Sequence, residues 1–504
     1  MLDRRTRRIA LLTLLLPLAA SATTRCEQLL QRFGDRLADA TCFESPDLTT
    51  NNAATTPANN SISTLPAGAF TPVTDRGVIS PSAPNKTPIT KVVPGIQINA
   101  RIAGDPQGQA RFLLRLPDDW NGRLVVAGAS GTRSEFNGDF AWSDYVVQKG
   151  YAYASQNKGV LNLRITSLSS PTPPNALACR LNPSSQVWVN FYDNDDGQPF
   201  VRWALFMGEA ARLAQRGVEA RYGHGPRFTY AVGTSNGGYQ VRRAVELFPG
   251  LFDGGVDWEG TEVNPAGPSI LTDLPPAILN YPDYVASGRD PNGTAAKNIR
   301  AAGYPPDIVL PTAASLWANY WTSFWEVTQC QWQKRVDPGY DTYAQGTGTY
   351  NYYARLSQSD VGAQVASFAT TGRIRRPLIT VAGTMDGLLP IDRHARAYAR
   401  KVEAALADRD GDGDDHWRDD HWRNGERRPD YRLYEVQNGN HIETYQDQFP
   451  QLELIEPHAQ AAFNLLVQHV EHGHTLPPSQ CIPRGGSISA APGQPGHCAN
   501  LFAP

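Results

Sequence analysis

Gly233-Thr234-Ser235-Asn236-Gly237 stands between two segments of opposite pattern. The aromatic and β-branched run from Arg227 to Val232 reads as a buried strand, and Tyr239 to Phe248 reads as a helix. A serine in so short a strand-to-helix turn is tightly constrained. Its backbone must take up strain, and side chains at Gly233 or Gly237 would collide with the neighbouring strand or helix. The amides that open the helix then face the serine, where a developing anion is stabilised. This is the context of a nucleophile elbow. The plainer alternative makes Ser235 a helix cap.

The chain around this turn alternates between strand and helix. Gly95 to Ile102 and Ala110 to Leu116 read as strands, as do Arg123 to Gly128 and Gly150 to Ser155. Asp144 to Lys149 and Phe200 to Arg216 read as helices. After the elbow, Phe252 to Trp258, Pro377 to Ala382 and Tyr431 to Val436 read as strands, with helices at Ile391 to Leu406 and Ala459 to Glu471. Such alternation predicts an α/β fold, a mostly parallel sheet with helices on both faces. From Glu259 to about Thr371 the pattern breaks into Pro- and Gly-rich sequence full of aromatics, Trp317, Tyr320, Trp321, Phe324, Trp325 and Trp332 among them. These rings suit the core of a small inserted domain, a lid that also lines a pocket. The expected division is 1–22, 23–91, 92–260, 261–371, 372–480 with an acidic insertion at 408–428, and 481–504.

The first segment is expected to be a signal peptide. Arg4, Arg5, Arg7 and Arg8 precede an apolar run, Ile9 to Ala20, and Ala20-Ser21-Ala22 offers a cleavage site. That run is too short to span a bilayer, so secretion or export to a periplasm is expected, with no membrane attachment after cleavage. Residues 23–45 read as a short amphipathic helix, and Leu48 to Lys91 as an extended, poorly patterned arm. The six cysteines, Cys26, Cys42, Cys179, Cys330, Cys481 and Cys498, form no CxxC and suit disulfides in an exported chain. Short loops favour Cys26–Cys42 and Cys481–Cys498, leaving Cys179–Cys330. A net charge of −3 offers nothing to nucleic acid or an anionic membrane.

A serine nucleophile needs a base, and the base needs an acid to orient it. In α/β-hydrolases the acid and then the histidine follow the serine in the chain, each just past a strand. Asp386 and His441 meet both conditions. Their rivals are weaker. His224 and His394 follow no late core strand, and Asp392 begins a helix. Asp257 and Glu259, at the end of the strand after the elbow, hold the other place an acid can occupy. The oxyanion requires two N–H donors. Asn236 supplies one, and Ala129 or Ser130, in Gly128-Ala129-Ser130-Gly131, the other.

Trp120-Asn121-Gly122-Arg123, Lys149-Gly150-Tyr151-Ala152, Ser235-Asn236-Gly237-Gly238, Phe248-Pro249 and Phe252-Asp253-Gly254 together resemble the tannase and feruloyl esterase family of secreted α/β-hydrolases. Ala67-Gly68-Ala69-Phe70 and the Cys26 to Cys42 segment fit as well. The resemblance implies a carboxylic ester hydrolase with a lid, the Ser235, Asp386 and His441 triad, and a bulky aromatic ester as substrate, with no organic cofactor. The family's cysteine pair beside the serine and histidine is replaced here by Thr234 and Ile442. Thr-Ser-Asn-Gly-Gly is also similar to the serine motif of secreted 3-hydroxybutyrate oligomer hydrolases. A binding protein on a dead hydrolase fold is the alternative of another class. The oligomeric state is not legible.

Asp408, Asp410 and Asp412, followed by Gly413, match the opening of a calcium loop, with Asp414 at its seventh position and Asp419 at its twelfth. The twelfth position is normally Glu, and no exit helix follows; the alternative is a solvated acidic tip. If calcium binds here, the ion is structural, and a chelator lowers the thermal midpoint. An unchanged midpoint in scanning calorimetry rejects the ion.

Overall fold

The computed structural model describes residues 24–57, 72–77, 79–106, 108–131, 133–160, 164–167, 179–180, 187–190, 200–337, 350–411 and 429–504. The expected signal segment and residues 412–428, most of the acidic insertion, lie outside them. So do the side chains of Cys179 and Cys330, and with them the third expected disulfide.

Thirteen strands are described: β1 (Leu37–Ser45), β2 (Gly95–Ile102), β3 (Arg111–Pro117), β4 (Arg123–Gly128), β5 (Ala152–Gln156), β6 (Arg164–Ser167), β7 (Cys179–Arg180), β8 (Val187–Asn190), β9 (Phe228–Thr234), β10 (Gly254–Trp258), β11 (Leu378–Gly383), β12 (Tyr431–Val436) and β13 (Gln480–Ile482). Ten form one sheet in the order β1-β2-β3-β5-β4-β9-β10-β11-β12-β13, and β6-β8-β7 form a small antiparallel sheet. From β5 to β13 every pairing in the large sheet is parallel, while β1, β2 and β3 are antiparallel to their neighbours. This is an α/β-hydrolase fold.

Alternate residues of the central strands face two cores. Leu124, Val126 and Ala231 pack with Met207, Ala211 and Val241 from the helices Val201–Tyr222 and Asn236–Leu247, and with Tyr398 and Val402 from Ala395–Gly411. Val125, Tyr230, Val232, Val256 and Val381 pack on the other face against Trp142, Phe463 and Leu466, the last two from the helix Glu456–His472. Burial on both faces explains why these strands read as nearly continuous apolar runs.

The edges of the sheet differ from the sequence reading. The expected helix over 23–45 ends at Phe33, and Leu37–Ser45 is a strand antiparallel to β2. Gly34, at φ 58°, breaks the helix; Thr41, Cys42 and Phe43 beyond it are strand formers. The Cys26–Cys42 disulfide fastens the helix to that strand. At the far edge the tail adds β13 beside β12, joined by Cys481–Cys498 to the chain end. The helix expected to stop at Leu406 continues to Gly411, so Asp408 and Asp410 belong to its last turns.

Part of the arm is also ordered, and a buried charge is the reason. Arg115 of β3 is fully buried and uses all five N–H groups, on Gln97 Oε1 (3.0 Å), both oxygens of Asp139 (2.8 and 3.1 Å), Ser143 Oγ (2.6 Å) and the Thr55 carbonyl (3.1 Å). Thr56 Oγ1 also donates to Asp139 Oδ2, at 2.8 Å. Residues 55 and 56 are thereby fixed on the sheet.

Between β10 and β11 lies the inserted segment, whose regular structure among the described residues is helices joined by loops and one β-bridge, Val309 with Ser315. Its rings form their own core: Tyr284 on Trp317 (4.9 Å between centroids), Tyr281 on Trp321 (4.6 Å) and Tyr304 on Trp325 (5.2 Å). Among the described residues no helix is long and apolar enough to cross a membrane. Asp139→Ala leaves the Arg115 guanidinium buried without its counter-charge. We expect a loss of about 3–5 kcal/mol in urea unfolding.

Candidate active site

The carboxyl ends of the parallel strands carry the site, as open α/β sheets generally do. β9 and β10 are in register, Thr234 opposite Trp258, and Gly128 of β4 lies opposite Gly233. Ser235 follows at φ 59° and ψ −120°, and the helix Asn236–Leu247 starts at the next residue. That backbone conformation costs a non-glycine residue about 1–3 kcal/mol. Its neighbours hold it: Ser235 N–H donates to the Trp258 carbonyl (2.9 Å), and Thr261 N–H donates to that of Ser235 (3.3 Å). A Cβ at Gly237 would strike the backbone of Gly128, and one at Gly233 would strike that of Gly237.

His441 follows β12 on a turn through Asn438 (φ 66°), Gly439 and Asn440. Its Nδ1 lies 2.9 Å from Asp386 Oδ2, and both side chains are buried. Asp386 follows β11, and its Oδ1 accepts the N–H groups of Leu388 and Leu389, each at 2.7 Å. The histidine turn is braced without a cysteine pair. Tyr320 donates to Asn440 Oδ1 (2.8 Å), Met385 N–H to the Gly439 carbonyl (2.8 Å), and Glu443 Oε1 accepts the N–H groups of Ile455 (2.6 Å) and Glu456 (2.7 Å). Thr234 ends β9, and Ile442 is buried against the cavity.

The rival residues have other partners. His394 Nδ1 accepts the N–H of Glu262 at 2.9 Å, and its Nε2 faces Asp273. Asp257 accepts from Arg242 (2.6 Å), Gly260 N–H (2.6 Å) and Thr380 (2.9 Å), anchoring the elbow helix. Asp392 pairs with Arg396 at 2.9 Å, and His224 is exposed. Glu259 is different: it is buried, and its Oε2 lies 3.4 Å from His441 Nδ1.

The loop after β4 rests on a buried lysine that its sequence does not advertise. Lys158, fully buried at φ 65°, directs Nζ to the carbonyls of Ala129 (2.6 Å) and Ser130 (3.3 Å). Burial lowers its pKa from the ordinary lysine value to about 7. The Ser130 N–H donates to Asn137 Oδ1 at 2.9 Å and is thus engaged. Asn137 in turn donates to the Asp75 carbonyl (3.0 Å), and the Asp75 carboxylate accepts from Ser134. In a planar trans peptide the N–H points opposite to the C=O. With the Ser130 carbonyl on Lys158, the Gly131 N–H faces away from it. Gly131, at φ 43°, lines the same cavity as Ser235, Asn236 and His441. Of the two amides expected from the sequence, that of Ser130 is thus engaged by Asn137, and nothing local in the sequence showed it.

That cavity, about 70 Å³, is walled by Ile79, Leu388, Leu389 and Ile442, with Ile270, Phe324 and Val327 from the inserted segment. Of the described rings of the aromatic stripe, Phe324 alone lines it. Among the described residues, one group of His, Cys, Asp and Glu side chains converges closely enough for metal binding, namely Glu259, Asp386 and His441.

No family model matches the chain. Over 144 residues it is 30% identical to a D-(-)-3-hydroxybutyrate oligomer hydrolase of Burkholderia thailandensis, covering 27% of this chain and 18% of that protein. A D-(-)-3-hydroxybutyrate oligomer hydrolase of Burkholderia mallei is 28% identical over 144 residues, with the same coverage. The chain thus spans about a fifth of the length of these relatives, 18% in each case. Among solved structures, feruloyl esterase B from Aspergillus oryzae is similar at TM-score 0.48 and 13% identity, over 90% of this chain and 91% of that one. Tannin acyl hydrolase from Aspergillus niger is similar at TM-score 0.41 and 12% identity, over 83% and 89%. At such scores and identities these likenesses assign neither substrate nor residue roles.

Replacing Lys158 by Met leaves the carbonyls of Ala129 and Ser130 buried without their donor. We expect destabilisation of about 1–3 kcal/mol per carbonyl, read from urea midpoints.

Proposed function

We propose that the protein is a serine carboxylic ester hydrolase, with Ser235 as nucleophile, His441 as base and Asp386 as the acid that orients it. One observation carries this reading: a serine strained at φ 59° on a strand-to-helix turn shares a cavity with a histidine whose Nδ1 is held by a buried carboxylate. With Nδ1–H engaged by Asp386, Nε2 is left to accept the Ser235 proton. The serine oxygen attacks the ester carbonyl, and the tetrahedral oxyanion takes N–H donors from Asn236 and Gly131, ahead of Ala129. His441 returns the proton to the leaving alcohol, giving an acyl-enzyme that water hydrolyses by the reverse path.

For the substrate we favour an ester of a short hydroxy acid, such as a hydroxybutyryl oligomer. The aliphatic side chains of Ile79, Ile270, Leu388, Leu389 and Ile442 in the cavity wall support it, as does the partial likeness to oligomer hydrolases. A feruloyl- or galloyl-type ester is the second reading; Phe324 at the cavity supports it. Export through the N-terminal segment and a structural calcium in the acidic insertion remain part of the proposal on sequence grounds. The two described disulfides suit an oxidising compartment.

A fluorophosphonate should label Ser235, located by peptide mass spectrometry. Ser235→Ala should lose label and at least about 10³-fold in kcat/KM. An unlabelled wild type that turns over no ester leaves the binding-protein reading, and an equally active alanine variant removes Ser235 as the nucleophile. A panel of hydroxybutyryl dimer, feruloyl, galloyl and short nitrophenyl esters ranks the substrates.

A further inference from the structure

Two carboxyl groups, not one, face His441 Nδ1. Asp386 Oδ2 is 2.9 Å away and Glu259 Oε2 is 3.4 Å away, and the three groups are sealed from solvent. They come from different strands. Asp386 follows β11, and Glu259 follows β10 directly, its N–H donating to the Val381 carbonyl at 2.8 Å. Glu259 holds φ 51°, a left-handed conformation that a glutamate adopts only when its surroundings impose it. Its Oε1 accepts the N–H of Gly383 (3.1 Å), while Oε2, the oxygen turned to the histidine, accepts no hydrogen bond. Asp386 accepts three donors where Glu259 accepts one. The negative charge therefore resides on Asp386, and Glu259 stays neutral beside it.

We propose that Glu259 is a second orienting acid for His441, held neutral while Asp386 is charged and able to take over the charge and the Nδ1 proton when Asp386 is lost. It is a positioning residue, acting through His441, and the inference rests on the serine-hydrolase reading. The groups around it agree with this assignment. Burial first, and then the Asp386 charge, hold the Glu259 carboxyl well above the ordinary carboxylate range. Glu443 acts in the same direction, and Tyr320 is the remaining titratable neighbour. Removing Asp386 removes the nearest repulsion, so Glu259 ionises more readily, helped by the imidazolium that forms on His441.

The test uses a short nitrophenyl ester with wild type, Glu259→Gln, Asp386→Ala, Asp386→Ala/Glu259→Gln and Ser235→Ala, each checked for folding by its thermal transition. Alanine is chosen at 386 because asparagine would offer an N–H to Nδ1 and select the wrong tautomer. Asp386→Ala should retain at least about tenfold more kcat/KM than the double variant, with a limb that continues to rise at pH values where wild type has levelled. The double variant should fall to the Ser235→Ala background. Equal activity and equal pH profiles for Asp386→Ala and the double variant overturn the proposal, as does an Asp386→Ala protein no better than Ser235→Ala. If the 386 variants fail to fold, the downfield Nδ1 proton of His441 decides: it should move in Glu259→Gln, and an unchanged resonance overturns the inference. Full activity in Ser235→Ala would instead remove Ser235 as the nucleophile and with it the serine-hydrolase reading, a separate failure.

Discussion

Backbone touching backbone at the elbow is the contact on which the site depends. Gly237 of the elbow helix lies against Gly128 of β4, and Gly233 of β9 against Gly237, with no room for a Cβ at any of the three. This proximity does two things at once. It seats the helix N-terminus beside the loop after β4, so two sets of amides converge. It also forces the chain between β9 and the helix to turn within one residue, and that residue is Ser235. Larger side chains would push the helix outward and relax the serine out of its strained conformation.

Buried carboxyl groups are held in different ways in this fold. Asp139 faces Arg115, Asp257 faces Arg242 and Glu435 faces Arg396, so each acid has a cation within hydrogen-bonding distance. Among the described residues Asp386 and Glu259 have no such cation; they converge on a histidine. A fixed guanidinium would neutralise the acid permanently. An imidazole leaves the balance open, because its charge changes when it takes a proton. The loop after β4 follows another course: Lys158, held near neutrality of pKa by burial, fixes two carbonyls and so decides which amide is left over.

The inserted segment contributes little chemistry and much enclosure. Its large described rings are spent on its own core, and the wall it presents to the cavity consists of Ile270, Phe324, Val327 and polar side chains such as Thr328 and Gln331. An aromatic-rich sequence is therefore a poor guide to an aromatic ligand here, since ring stacking between helices satisfies the same residues.

The central strands, the elbow and the pairing of Asp386 with His441 were legible because each is a local pattern at a strand end. Apolar runs mark strands buried on both faces, and Gly-x-Ser-x-Gly marks the turn between strand and helix. The edge strands β1 and β13 were not legible, since each is made by pairing with a distant partner and each is short or mixed in pattern. Chain order alone placed Asp386, His441 and Glu259 after successive strands. Only the tertiary structure, by laying β10, β11 and β12 side by side in register, brought two carboxyls to one imidazole nitrogen. The sequence by itself determined the fold class and the order in which Ser235, Asp386 and His441 follow their strands. The structure decided which amide, which second acid and which lysine surround them, because those depend on packing between segments far apart in the chain.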